Sequence, residues 1–124
     1  MSVKAKVLLV GWEPDAVDYS KWPGLTPQKL RAALEGDKDK MNAMGYEAKL
    51  GLITGEDAAT DDLSGFLSEN DYDCVLIGAG VRTIDEYLLL FEKLINTIHS
   101  QAPNAKICFN TGPFDSVDAV QRWV

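Results

Sequence analysis

Cys74-Val75-Leu76-Ile77-Gly78-Ala79-Gly80-Val81-Arg82-Thr83 holds an uninterrupted apolar run, two glycines two residues apart, and a polar segment suited to opening a helix. An apolar run of four with no alternation suits a strand covered on both faces. The glycines permit a tight turn directly after it. Thr83-Ile84-Asp85-Glu86 then has the form of a capping box, in which Thr83 caps and Glu86 reaches back. It is expected to open a long helix that runs to about Gln101 and is stopped by Pro103. Strand, glycine turn and helix in succession make up the repeating unit of a parallel sheet.

The same unit recurs on both sides. Upstream, Ala5-Lys6-Val7-Leu8-Leu9-Val10 ends at Gly11 and reads as a second central strand. A long polar and aromatic loop follows over residues 12–25, and Thr26-Pro27 opens a helix. Leu30, Ala33, Leu34, Met41 and Met44 recur on one side of this helix, and Gly45 ends it. In the next strand, residues 46–53, Tyr46, Ala48, Leu50 and Leu52 alternate with Glu47, Lys49 and Gly51, as suits a sheet edge. A helix within residues 57–69 offers Leu63, Phe66 and Leu67. Past the long helix come a strand at Lys106-Ile107-Cys108-Phe109, a turn at Asn110-Thr111-Gly112-Pro113, and a short helix capped by Asp115. Val117, Val120, Trp123 and Val124 form the expected buried side of that helix. Four strands alternating with helices predict one α/β domain over residues 1–124. Its parallel sheet is doubly wound and three-layered, in the flavodoxin or Rossmann manner. With the apolar strands central and the charged ones at the edges, the order is 2-1-3-4. The first and last helices cover one face and the other two the opposite face.

Composition narrows the function. The chain has 124 residues, 46% hydrophobic and 25% charged, which suits a folded domain. A formal net charge of −7, with Lys and Arg scattered, lacks the basic footprint of a nucleic-acid binder and disfavours anionic membrane surfaces. No run approaches the ~20 apolar residues of a membrane span. Met1-Ser2-Val3-Lys4-Ala5-Lys6 leads straight into a strand without a secretory leader's apolar region, so the cytoplasm is the expected compartment. Cys74 and Cys108 sit inside apolar strands and read as buried free thiols.

In doubly wound sheets, ligands bind beyond the carboxyl ends of the strands, where the strand order reverses. The residues arriving there are Gly11, Trp12, Glu13 and Pro14 from the first strand, and Gly78, Ala79, Gly80, Val81 and Arg82 from the third. Asn110, Thr111 and Thr54 flank them. Trp12, Glu13, Gly78, Gly80, Arg82, Asn110 and Thr111 are therefore the candidate ligand-binding residues. Gly78 to Thr83 nearly spells G-x-G-x-x-G, but it follows the third strand, lacks the last glycine, and has Asn110 where an acidic ribose ligand would stand. Two readings stay open for it: an anion cradle with Arg82 as a bidentate partner, or a tight turn that needs small residues. Glu13 and Arg82 are expected to face each other across the crevice. Trp12, Tyr19 and Trp22 of the long loop either stack on a flat ligand or cover the core rim, and Asp15 and Asp18 are placed to read polar groups. No further carboxylates converge on those two, so no metal is expected. His99, the single histidine, falls roughly 22 Å along the long helix from the rim. No nucleophile–base set can be built with it there, and no catalytic residue or cofactor is assigned.

Gly11-Trp12-Glu13-Pro14, Ile77-Gly78-Ala79-Gly80-Val81-Arg82, Leu89-Leu90-Phe91-Glu92-Lys93 through Ile98-His99, and Cys108-Phe109-Asn110-Thr111 together resemble a group of short bacterial Rossmann-like proteins with no assigned function. The resemblance implies the fold and a bacterial origin, and carries over no activity. Leu88, Phe91, Ile95 and Ile98 make one stripe of the long helix, with Leu89 and Leu90 pointing away from it. That surplus packs on a neighbouring helix or forms a two-fold contact, and a homodimer is expected. Two functions follow: a domain that binds a small polar or anionic metabolite at the rim, or a protein-interaction module without catalysis.

Overall fold

The computed structural model describes residues 4–112 and 114–124. Met1, Ser2, Val3 and Pro113 lie outside the described residues, and with them the last position of the expected turn at 110–113. The strands are β1 (Lys6–Trp12), β2 (Glu47–Ile53), β3 (Cys74–Ile77) and β4 (Lys106–Phe109), and the helices are α1 (Pro27–Ala43), α2 (Ala59–Glu69), α3 (Ala79–Arg82), α4 (Leu88–Gln101) and α5 (Ser116–Gln121). All strand pairs are parallel, in the order β2-β1-β3-β4. This is the expected doubly wound arrangement. Every residue of β3 is buried, and so is all of β1 after Lys6, whereas β2 and β4 carry exposed positions.

Alternation along the strands sends side chains to two cores. Leu8, Val10, Trp12, Val75 and Ile77 meet α2 and α4 through Leu63, Leu67, Leu90, Leu94 and Ile98. Val7, Leu9, Leu76, Cys74 and Cys108 meet Met41 of α1 and Val117, Ala119 and Val120 of α5 on the other face. Burial of each large aliphatic is worth about 1.5–3 kcal/mol, which makes these two layers the main stabilising term. The Cys74 and Cys108 sulfurs lie 3.5 Å apart as free thiols. Among the described residues no helix is long and apolar enough to cross a membrane.

Local signals set the ends of α1. The Thr26 hydroxyl oxygen accepts from the Lys29 N–H at 3.1 Å, Pro27 is the first helical residue, and Gly45 takes φ +99° beyond the C-terminus. Asn42 ties that end to β2, its amide oxygen accepting from the Ala48 N–H at 2.8 Å. Gly51 is buried and faces the α2 side, where an added Cβ would stand 2.9 Å from Leu8 and 3.2 Å from Phe66. Phe66 of α2 thus covers the β2 face whose Glu47 and Lys49 read as polar.

Three expectations are overturned. The capping box does not form, because residues 79–82 already make a helical turn, α3, which Thr83 closes by donating its N–H and its hydroxyl to the Ala79 carbonyl at 2.9 and 2.7 Å. An extended Ile84 and a 3₁₀ turn at Asp85–Tyr87 intervene before α4, and Glu86 pairs with Lys21 at 2.8 Å instead. The later start changes the phase of α4: its buried stripe is Leu90, Leu94, Thr97 and Ile98, while Leu88 and Leu89 are each 62% exposed. Trp123 and Val124 are exposed because α5 ends at Gln121.

Candidate functional site

Helix α1 is buried at only one end. Met41 is fully buried in the core, but Leu30, Ala33 and Leu34, on the same side of the helix, are only half-buried. Between that first half and the sheet lies a groove of about 680 Å³. Leu9, Val10 and Leu76 of the sheet, Leu30, Ala33 and Leu34 of α1, and Trp22, Pro23 and Leu25 of the long loop line it. The groove continues past the Gly78–Gly80 turn to Asn110, Thr111, Phe114 and Ser116. It therefore occupies the carboxyl-terminal edge of the sheet, the expected location, and runs beneath α1 on the face shared with α5.

The loop that roofs it is built rather than slack. Two 3₁₀ turns, Pro14–Ala16 and Tyr19–Lys21, give it local structure. Asp18 caps the second turn, accepting from the Ser20 N–H at 3.1 Å and from its hydroxyl at 2.6 Å, and the Tyr19 hydroxyl donates to the Pro14 carbonyl at 2.6 Å. These bonds commit Asp18 and Tyr19 to the loop itself. Trp22 reaches the glycine turn, where its Cζ2 lies 4.0 Å from the position a Cβ on Gly80 would take.

Five of the seven candidate residues line the groove: Trp12, Gly78, Gly80, Asn110 and Thr111. Trp12 is 8% exposed, donates its indole N–H to the Gly80 carbonyl at 3.2 Å, and packs on Tyr87 with ring centroids 5.2 Å apart. Thr111 is held by Asp115, whose carboxylate accepts from its N–H at 2.9 Å and its hydroxyl at 2.8 Å. Burial alone would raise the Asp115 pKa, but these bonds and one from the Gly112 N–H outweigh it and lower it. Glu13 and Arg82 are absent from the lining and do not face each other. Glu13 turns toward α1 and pairs with Arg31 at 2.7 Å, and Arg82 turns toward β4, donating to the Asn110 carbonyl at 2.9 Å with its guanidinium 5.9 Å from the Phe109 ring centre. The Ala79 N–H, which an anion would need at the glycine turn, donates to Asn110 Oδ1 at 2.8 Å.

Sequence reasoning missed Asp37 and Ser116. Asn110 Nδ2 donates to Ser116 Oγ at 2.9 Å, and Ser116 stands near the Asp37 carboxylate, whose pKa it lowers. Burial raises the Asp37 pKa against the lowering effect of Ser116 and Lys40, and Asp115 adds to the rise. Its signal was present: residues 30, 33, 34, 37, 41 and 44 form one helical stripe, and a carboxylate stands where the pattern calls for an apolar residue. Among the described residues no group of three or more His, Cys, Asp or Glu converges to hold a metal. His99 is exposed near the far end of α4. Compared with protein-family models and with curated proteins, the chain matches none.

Proposed function

We propose that this protein is a small-molecule-binding domain whose site is the groove between α1 and the sheet. The observation that carries this reading is the half-buried stripe Leu30, Ala33 and Leu34 lying over Leu9 and Leu76 across about 680 Å³ of space. Ligand pockets typically measure about 300–1,000 Å³ and are mostly apolar with a few placed polar groups. The location agrees with where doubly wound sheets bind ligands. The metabolite expected from sequence was polar or anionic, and the lining narrows it to a molecule with an apolar or flat body whose polar group lies at one end. A reducing, cytoplasmic setting agrees with two free thiols in van der Waals contact.

A thermal-shift screen of flat heteroaromatic and amphipathic metabolites tests the reading. A ligand at about a hundred times its Kd adds about 2.7 kcal/mol, which moves Tm by several degrees in a domain of this size. Ala33→Trp fills the groove and is expected to abolish every such shift while leaving the fold intact. Shifts that survive Ala33→Trp at full size overturn the reading.

A second reading, a homodimerisation module, is favoured by the adjacent exposed Leu88 and Leu89 at the start of α4.

A further inference from the structure

The polar groups at one end of the groove form a chain with a fixed direction. It begins at the Ala79 backbone N–H, which can only donate and donates to Asn110 Oδ1 at 2.8 Å. That contact fixes the amide orientation, so Asn110 Nδ2 faces Ser116 and donates to its Oγ at 2.9 Å. Ser116 has one hydroxyl proton, and with its oxygen accepting from Asn110 that proton is free to turn toward the nearby Asp37 carboxylate, whose pKa Ser116 lowers. The chain is therefore directed toward Asp37 as an acceptor. Asn110 and Ser116 are 7% and 2% exposed, so water has little access with which to reverse it.

An ionised carboxylate has about four lone-pair sites, and Ser116 can fill at most one of Asp37's. Asp37 lines the groove, and among the described residues it has no ion-pair partner. Among the described residues the only other charged one in the lining is Lys29, eight positions earlier on α1 and so about 12 Å away along the helix. Lys29 Nζ donates to the Gly24 carbonyl at 3.0 Å at the start of that helix. The groove thus presents an apolar trough with one carboxylate that has no ion-pair partner among the described residues. A carboxylate in apolar surroundings is costly unless paired.

We infer that the ligand of this groove carries a cationic or N–H-donating group, an ammonium or protonated amine on an apolar or flat body, with Asp37 accepting from it. The inference rests on the proposed binding function and names its ligand class. It reverses the anionic preference that the glycine turn and Arg82 suggest, since Arg82 is turned to β4 and the Ala79 N–H is already engaged.

Three probes of matched shape separate the possibilities: naphthylmethylamine, naphthalenemethanol and naphthoic acid, titrated into the full chain by protein-observed NMR. The amine is expected to bind about tenfold or more tightly than the acid, as for a charge-assisted hydrogen bond, with the alcohol between them. Asp37→Asn is expected to remove the amine's advantage over the alcohol. Binding of the alcohol with no preference for the amine, or an amine preference that survives Asp37→Asn, overturns the inference while the groove remains a binding site. Failure of all three to bind overturns the groove reading as well. Circular dichroism checks that Asp37→Asn is folded, and Asp37→Ser replaces it if it is not. The order of the three probes on the unsubstituted chain can by itself overturn the inference.

Discussion

Burial of Asp37 works against its charged form, and its proposed role is to accept from a ligand in that form. Burial raises its pKa, and the hydrogen bond from Ser116 and the nearby Lys40 only partly counter this, while Asp115 adds to it. For an acid whose folded pKa is raised, the native state holds its proton more tightly than the unfolded chain. Stability is then fully present below the unfolded value of 3.8 and is lost as pH rises through the folded one. Asp37→Asn keeps an oxygen to accept from Ser116 and removes the charge. Its Tm, measured without ligand, is expected to exceed that of the parent chain near neutral pH and to match it in acid below the usual carboxylate range. The lowered pKa of Asp18 acts the other way with pH but is common to both proteins and cancels in the difference, and loss of the Asp37 charge relieves its repulsion with Asp115, which adds to the gain near neutral pH. A variant less stable by the same margin at every pH contradicts this account. At the same scale, sequence was readable where the determinant is local: Thr26, Pro27 and Gly45 delimit α1 as their chemistry dictates. Thr83 misled because the capping-box pattern is also local, and the fold used its hydroxyl to close the preceding turn.

Among the elements, α1 and α4 show how a periodic pattern can locate a helix without fixing what it covers. Leu30, Ala33 and Leu34 read as core and line open space instead, since only the Met41 end of α1 is fully buried. In α4 the leucine-rich run holds more apolar side chains than one face needs, and its phase is set by the 3₁₀ turn at Asp85–Tyr87 and by Tyr87 packing on Trp12, neither visible as periodicity. Leu90 consequently enters the core, and Leu88 and Leu89 remain outside at 62% exposure each. If these two leucines join a second copy, light scattering at tens of micromolar gives twice the chain mass and Leu89→Glu returns it to the monomer. A parent chain that is already monomeric contradicts the dimer and leaves the groove untouched, since neither leucine lines it.

Across the whole molecule, the strand order was legible because it depends on a coarse contrast: one strand wholly buried and one buried after its first residue, Lys6, against two that carry exposed positions. Strand order in turn fixes where the sheet reverses, so five of the seven candidate residues line the groove. The walls were less legible, since Leu9, Leu76 and Ser116 are brought to one place only by packing across layers. Binding of a small molecule beneath α1 is read out by intermolecular nuclear Overhauser effects from bound naphthalenemethanol to assigned methyl groups. Contacts to the methyls of Leu9, Leu30, Leu34 and Leu76, with none to Leu88 or Leu89, are the predicted result. Contacts confined to Leu88 and Leu89, or no contact to any methyl of the groove, would contradict the claim.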